Sequence, residues 1–298
     1  MRKGNVIYIK MEERIMKKSL KKLTGIVMIG VLALSALTGC GSKNTSAAKD
    51  ITIGVCAGPY GDMVKKAIAP SLEKKGYHVS VREFSDYVLP DQALANGEID
   101  ANLMQHTAYL EKFAADNNLK ISKVIAVPTA GAGIFSDSLK SLKELKKGDK
   151  VGIPNDPSNL ARALGILSQE KVITLKKGID QTKASEKDIA QNPKNLKFVT
   201  LDAAQISRSL DSLAIGVVPG NYAYAADLDF SKALAVEKLA EQYKNVIAVK
   251  TEDVKGRLGK DLKEAVESEE FYQAVADQKS SFRSFQKPDW WTEKYGEK

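Results

Sequence analysis

The sequence predicts an α/β protein with parallel sheets covered by helices on both faces. Three observations carry this. Short apolar runs alternate with helical patterns from Ile51 to about Gln278, which is how strand–helix–strand units read. The same alternation starts again near Ser138, after the glycine-rich 131-GAGIF-135, so the chain reads as two successive units. And 298 residues with 43% hydrophobic and 28% charged positions suit one large or two medium globular domains. A mean hydropathy of −0.26 excludes a polytopic membrane protein. Neither an internal repeat nor a low-complexity block is present.

In the first unit Ile51–Val55 is a buried strand. From Gly61 to Lys75, Met63, Ala67, Ile68 and Leu72 share one helical face until Gly76 ends the helix. His78–Phe84 alternates as a strand, Asp91–Asn96 is a short helix stopped by Gly97, and Ile99–Leu103 is a strand. A helix over His106–Asp116, a strand over Lys123–Val127 and an extended Gly131–Phe135 complete that unit. In the second, Leu142 and Leu145 mark a short helix, and 150-KVGIP-154 is a strand followed by a helix from Asn159 to about Gln169. After a polar stretch come a strand (Lys197–Leu201), a helix (Ala203–Leu210), a buried strand in 213-LAIGVVPG-220 and a helix over Asn221–Ala226. Val246–Val249 reads as a strand and Lys260–Gln278 as one long helix. The tail 288-PDWWTEKYGEK-298 reads as a helix-end cap on the surface.

The formal charge of +8 and pI near 9.1 suggest nucleic acid only until the charge is located. Residues 1–39 hold eight cations and two anions, six of the eight net charges, which leaves the rest near +2 and without a phosphate-binding footprint. Those residues explain themselves. A basic 16-MKKSLKK-22, an uncharged apolar run over Leu23–Leu37 and the exit 37-LTGC-40 make a secretory signal, too short for a permanent membrane span. The exit resembles the lipobox of bacterial lipoproteins, with cleavage before Cys40 and lipid (palmitate) on that cysteine. Met1–Ile15 precedes a complete signal, so Met16 is the expected initiator. The only other cysteine, Cys56, is then left without a disulfide partner and is expected as a small core residue. Next, 41-GSKNTSAAKD-50 is a flexible tether. More than one acyl chain gives stable membrane attachment.

Catalytic signatures are missing: two distant histidines offer no metal spacing, and neither a nucleophile elbow nor a phosphate-cradling glycine loop occurs. No metal or cofactor is expected. What remains is a set of side chains at the C-terminal ends of the expected strands, where open α/β sheets bind ligands. The first strand contributes Tyr60, the second Tyr87, and the third Met104, His106 and Tyr109; the second unit contributes Asn159, Arg162 and Asn221. Taken singly, each is more simply packing or surface. Together they describe a cleft with one cation and several aromatics, which suits a free amino acid. A guanidinium beside a helix N-terminus holds its carboxylate, amide oxygens such as that of Asn221 take its ammonium, and aromatic and thioether walls take an apolar side chain. Arg162 has Ile166 rather than a carboxylate four residues on, so a helix-surface ion pair does not account for it.

At these residues the chain resembles the methionine-binding lipoproteins of bacterial ABC importers. The resemblance runs from about Ile51 to Val254 and rests on long strings: 57-AGPYGD-62, 83-EFSDYVLPDQALANGEIDAN-102, 105-QH-106, 151-VGIPNDPSNLARAL-164, 190-AQNPKNLKFVTLDAAQISRSLD-211 and 219-PGNYA-223. It implies a two-lobed periplasmic-binding-protein fold of the second type, with two crossover segments and ligand enclosed between the lobes. It also implies delivery to a permease and its ATPase, no enzymatic step, and a lipid-anchored place on the extracytoplasmic face of the cell membrane. Ligand contacts carried over by position fall on Tyr87, His106, Tyr109, Asn159, Arg162 and Asn221. The implied division is 1–39 signal peptide, 40–50 tether, 51–136 with 222–298 as lobe 1, and 137–221 as lobe 2. The chain departs from the family in having Tyr60 where a histidine is usual and Met104 where a pocket aromatic, often phenylalanine, stands. Its 128-PTAGAGIFS-136 is two residues shorter than the usual crossover strand and lacks that strand's tyrosine and glutamate. A wall of small residues there leaves room for a different or larger ligand, such as another amino acid or a short peptide. A ligand-sensing or adhesive lipoprotein, or an enzyme on the same scaffold, shares these features.

Overall fold

The computed structural model describes residues 49–296. The signal peptide, Met16 and Cys40 lie outside the described residues. The described residues begin with β1 (Lys49–Cys56), whose Ile51, Ile53 and Val55 are buried, and turn at once into a helix. That helix, α1, runs through Tyr60–Met63, a π-helical stretch Val64–Ile68 and Ala69–Lys74 without a break. The wide turns come just before Pro70, which lacks the N–H a regular turn needs and crowds the carbonyl four residues back. β2 (Tyr77–Phe84), α2 (Val88–Asn96), β3 (Ala101–His106), α3 (Thr107–Asp116) and β4 (Ile121–Ala126) follow. A crossover, 127–132, then leads to β5 (Gly133–Phe135).

The second lobe continues with β6 (Lys150–Pro154) and α4 (Pro157–Gln169). Leu142–Glu144 is a single 3₁₀ turn, and a small hairpin of β7 (Thr174–Leu175) and β8 (Ile189–Gln191) lies in the polar stretch. Then come β9 (Lys197–Leu201), α5 (Ala203–Ile206) running on as a 3₁₀ turn, β10 (Ile215–Val218), α6 (Gly220–Ala225) and β11 (Ala235–Val236). A second crossover, 237–244, returns to β12 (Asn245–Lys250) in the first sheet. The chain ends with α7 (Arg257–Val266), α8 (Glu269–Ala276) and α9 (Asp289–Tyr295).

The sheets run β2-β1-β3-β12-β4 and β11-β5-β10-β6-β9. Each is parallel where helices connect its strands and antiparallel at the strand that enters from a crossover: β12 against β3 and β4, β5 against β10 and β11. A strand arriving without a crossover helix has no need to run parallel. Both faces of the first sheet are covered, one by Ile53, Met63, Leu72, Leu262 and Phe271 and the other by Phe84, Leu94, Leu110 and Val246. This is the two-lobed α/β fold expected.

Three expectations are corrected. Gly133–Phe135 and Ala235–Val236, assigned from sequence to lobe 1, hydrogen-bond into the second sheet, so the sheets divide at 127–132 and 237–244 rather than at 136/137 and 221/222. The long helix over Lys260–Gln278 is two helices. Ser268 breaks it, accepting from the Phe271 N–H at 3.1 Å as the cap of α8 and donating to the Ala265 carbonyl at 2.7 Å. The tail is no surface cap: Trp291 is fully buried against Phe271 and Tyr272 in the first lobe's core, and Trp290 Nε1 donates to the Ala126 carbonyl at 2.8 Å.

Candidate ligand-binding site

The C-terminal ends of β1, β3, β6 and β10 meet at one place between the sheets, and the local caps there fix the side chains that matter. His106 ends β3 and caps α3: its Nδ1 accepts from the Tyr109 N–H at 3.1 Å. With Nδ1 committed as an acceptor, the ring proton sits on Nε2, which donates to Asn159 Oδ1 across the cleft at 3.1 Å. Burial, and then the nearby Arg162 charge, lower the imidazole pKa to about 3, so the ring is neutral at physiological pH. On the opposite lobe Pro157 takes the first turn of α4, and Asp156 caps it, accepting from the Asn159 N–H at 2.9 Å and from Asn159 Nδ2 at 3.2 Å. That grip turns Asn159 Oδ1 toward His106 and toward Arg162 Nη1, 3.4 Å away.

One turn into α4, Arg162 is 7% exposed. Its partner lies on the second crossover: Nε donates to Glu237 Oε1 at 2.9 Å and Nη2 to Oε2 at 2.6 Å. Glu237 is itself held by the Ala132 N–H at 3.0 Å, so the buried pair is geometrically complete. Burial pulls the guanidinium pKa down, but the Glu237 carboxylate more than reverses this, and it stays charged. The face of Tyr243 lies 5.2 Å from the guanidinium carbon.

The first lobe supplies aromatics. Tyr87 packs edge-on to Tyr109 at 5.6 Å, and its hydroxyl donates to Asn221 Oδ1 at 2.7 Å. Asn221 Nδ2 donates to the Ala57 carbonyl at 3.0 Å, and a Cβ on Gly58, whose φ is +127°, would lie 2.5 Å from the Asn221 carbonyl oxygen. Only glycine permits that approach. The Tyr60 hydroxyl accepts from the Ala130 N–H at 3.3 Å. Burial raises all three phenols, Tyr60, Tyr87 and Tyr109, so they remain protonated donors.

All eight side chains singled out from sequence, Tyr60, Tyr87, Met104, His106, Tyr109, Asn159, Arg162 and Asn221, line one small cavity of about 20 Å³. That is room for about one water molecule, so the two walls lie nearly against each other and an amino acid needs them to part. A wider groove of about 990 Å³ opens to solvent elsewhere, lined by Lys238, Lys244, Arg283 and Gln286; it lacks the converging buried polar groups of the cleft. Among the described residues no group of acidic, histidine or cysteine side chains is placed to hold a metal ion.

Sequence reasoning missed several residues. Gln105 lines the cavity, 3% exposed, with no hydrogen-bond partner for Oε1. Its Nε2 donates to Asp91 Oδ1 at 2.5 Å. Asp91 is fully buried, with Oδ2 unpartnered, and burial lifts its carboxyl to about 7 despite the amides of Asn102 and Gln105. Gln105 adjoins His106 in a quoted string, so adjacency was a usable signal. Glu237 gave none, because its pairing spans 75 residues. The small-residue crossover is also explained: a Cβ on Gly220 would lie 2.4 Å from the Ala130 carbonyl oxygen, and one on Gly131 2.9 Å from Gln286 Nε2. The chain's own backbone closes in where a larger side chain is missing.

Two α/β lobes, two crossovers and a cavity enclosed at the strand ends define a substrate-binding protein of the two-lobed type. The chain belongs to the NlpA lipoprotein family, whose model matches residues 51–290. It is therefore a substrate-binding lipoprotein of an ABC-importer family, and not an enzyme. It is similar to the D-methionine-binding lipoprotein MetQ of Salmonella typhi, 38% identical over 254 residues that cover 83% of this chain and 91% of that one. It is likewise similar to the probable D-methionine-binding lipoprotein MetQ of Vibrio cholerae, 35% identical over 266 residues, with coverages of 88% and 96%. Among solved structures, a nutrient binding protein from Burkholderia cenocepacia bound to methionine matches with a TM-score of 0.73 and 39% identity, over 78% of this chain and 97% of the other.

Proposed function

We propose that this protein captures methionine or a closely related amino acid and delivers it to the permease and ATPase of its importer. One observation supports this above the rest: a single fixed cation on one wall of an enclosed cavity faces neutral aromatic side chains on the other. The outer edge of Arg162, with Nη1–H and the second Nη2–H, takes the ligand carboxylate end-on. The unpartnered Gln105 Oε1 and the second lone pair of Asn221 Oδ1 take the ammonium. Met104, Tyr87 and Tyr109 surround the apolar side chain, with Tyr60 closing the far end; a thioether suits such walls. Ligand bridging the lobes favours the closed arrangement, in which His106–Asn159 and Tyr87–Asn221 bonds form. The supporting relatives and the methionine-bound neighbour point to the same ligand class.

Native mass spectrometry of the protein as purified tests the ligand. A retained species of methionine's mass supports the proposal; a peptide or an unrelated metabolite in its place overturns it. The anchor is proposed at Cys40, with translation starting at Met16 and the protein held on the extracytoplasmic face of the membrane. Cys40→Ala is expected to move the protein from the membrane fraction to the soluble one, and unchanged sedimentation with membranes counts against it.

A further inference from the structure

Among the described residues Arg162 is the only formally charged side chain lining the cavity, yet together with Glu237 the clamp carries no net charge. Glu237 covers its Nε edge from behind, where both side chains line a second recess with Tyr243 and Gln169. That carboxylate is fixed independently of any ligand. The Glu237 N–H donates to the Ala132 carbonyl at 2.9 Å, its own carbonyl accepts from Gln286 Nε2 at 2.7 Å, and its Oε2 accepts from the Ala132 N–H at 3.0 Å. Three hydrogen bonds from two segments, at Ala132 and Gln286, therefore hold one negative charge against the back of the guanidinium. Glu237 follows β11 directly at the start of the second crossover, so both members of the pair are attached to second-lobe elements, α4 and β11.

The electrostatic consequence concerns net charge. An unpaired buried guanidinium attracts any carboxylate, whereas a neutralised one leaves a clamp in which a net anion is left uncompensated once water is excluded. A zwitterion avoids that, because its ammonium adds an attraction to the fixed carboxylate that an anion of the same shape lacks. Asp156 is the other carboxylate near the clamp. Asn159 and the N-terminus of α4 hold it, and it makes no hydrogen bond to Arg162.

We infer that Glu237 is a specificity-determining residue that neutralises the Arg162 clamp and so makes the site select zwitterionic α-amino acids over α-hydroxy acids and other monoanions of equal size. This rests on the amino-acid reading of the cavity. The test compares two probes of nearly equal shape, L-methionine and 2-hydroxy-4-(methylthio)butanoate, by titration calorimetry at one pH, so that Asp91 contributes alike in wild type and variants and cancels from the change in their ratio. Wild type is expected to favour methionine strongly. Glu237→Gln, which keeps the side-chain shape, is expected to shrink that preference by about tenfold or more, the hydroxy acid gaining while methionine loses or holds. Glu237→Asp keeps the charge and is expected to retain the wild-type ratio even if both affinities fall. Equal changes for both probes in Glu237→Gln, or the same shift in Glu237→Asp as in Glu237→Gln, overturn the inference and leave the amino-acid reading standing. Failure of wild type to bind methionine or any other amino acid overturns the reading itself. If Glu237→Gln does not fold, wild type decides: the hydroxy acid is expected to bind at least about a hundredfold more weakly, and binding within about tenfold of methionine overturns the inference.

Discussion

The two walls of the cleft solve the problem of burying polar groups in opposite ways. The second-lobe wall keeps a full charge, Arg162, and matches it with Glu237 in a buried, bidentate pair. The first-lobe wall keeps no charge facing the ligand. His106 is held neutral, the tyrosines stay protonated, and the one buried carboxyl, Asp91, has no cation and is lifted to about 7. The difference teaches which wall is rigid by charge and which by packing. It also predicts that the walls respond differently to mutation and to pH.

The largest effect is expected where the charge is matched. Arg162→Ala leaves Glu237 buried and alone, which is expected to cost roughly 3–5 kcal/mol of stability in urea unfolding. Adding Glu237→Gln to it is expected to return much of that stability and none of the ligand affinity. If the double variant is as unstable as the single one, the pair is not what holds that wall.

The first-lobe wall is expected to answer to pH instead, through two groups of opposite sign. His106 has a folded pKa below its unfolded value, so it contributes stability above about pH 6.5 that is lost as pH falls toward 3. From pH 7 to pH 5 that loss is about 2 kcal/mol. Asp91 has a folded pKa above its unfolded value, so the fold is favoured at low pH and loses stability as pH rises from about 4 to 7, again by about 2 kcal/mol between pH 5 and 7. The two nearly cancel in wild type. Asp91→Asn is expected to gain stability at pH 8 and to become acid-sensitive below pH 6.5, while His106→Gln is expected to lose stability as pH rises from 5 to 7. Parallel pH profiles for wild type and both variants contradict this assignment. The smallest effect belongs to the cross-cleft contact of Tyr87: Tyr87→Phe removes one hydroxyl bond to Asn221 and is expected to weaken binding about fivefold, measured by calorimetry.

Much of this was legible in the sequence because it is local. Buried strands, the glycine stop at Gly97 and the polar residues at strand ends are written in neighbouring positions, and they assembled the eight cavity side chains. What was not legible depends on distant pairing. Nothing near Glu237 announces an arginine 75 residues away, and nothing in Gly133–Phe135 says which sheet it joins. Ser268 splits a helix whose apolar period continues past it, and Trp291 is buried only because the first lobe's helices form a pit for it. The Asp91–Gln105 contact was hidden for another reason: β3 is buried on both faces, so polar residues there do not reveal which side they serve.

The central claim is that Arg162 is the carboxylate clamp of an amino-acid site. Titration calorimetry of L-methionine into wild type freed of bound ligand, and into Arg162→Ala, tests it most directly. Saturable one-to-one binding to wild type, weakened by about tenfold to a thousandfold in the variant, is the predicted result. An unchanged dissociation constant in Arg162→Ala contradicts the account.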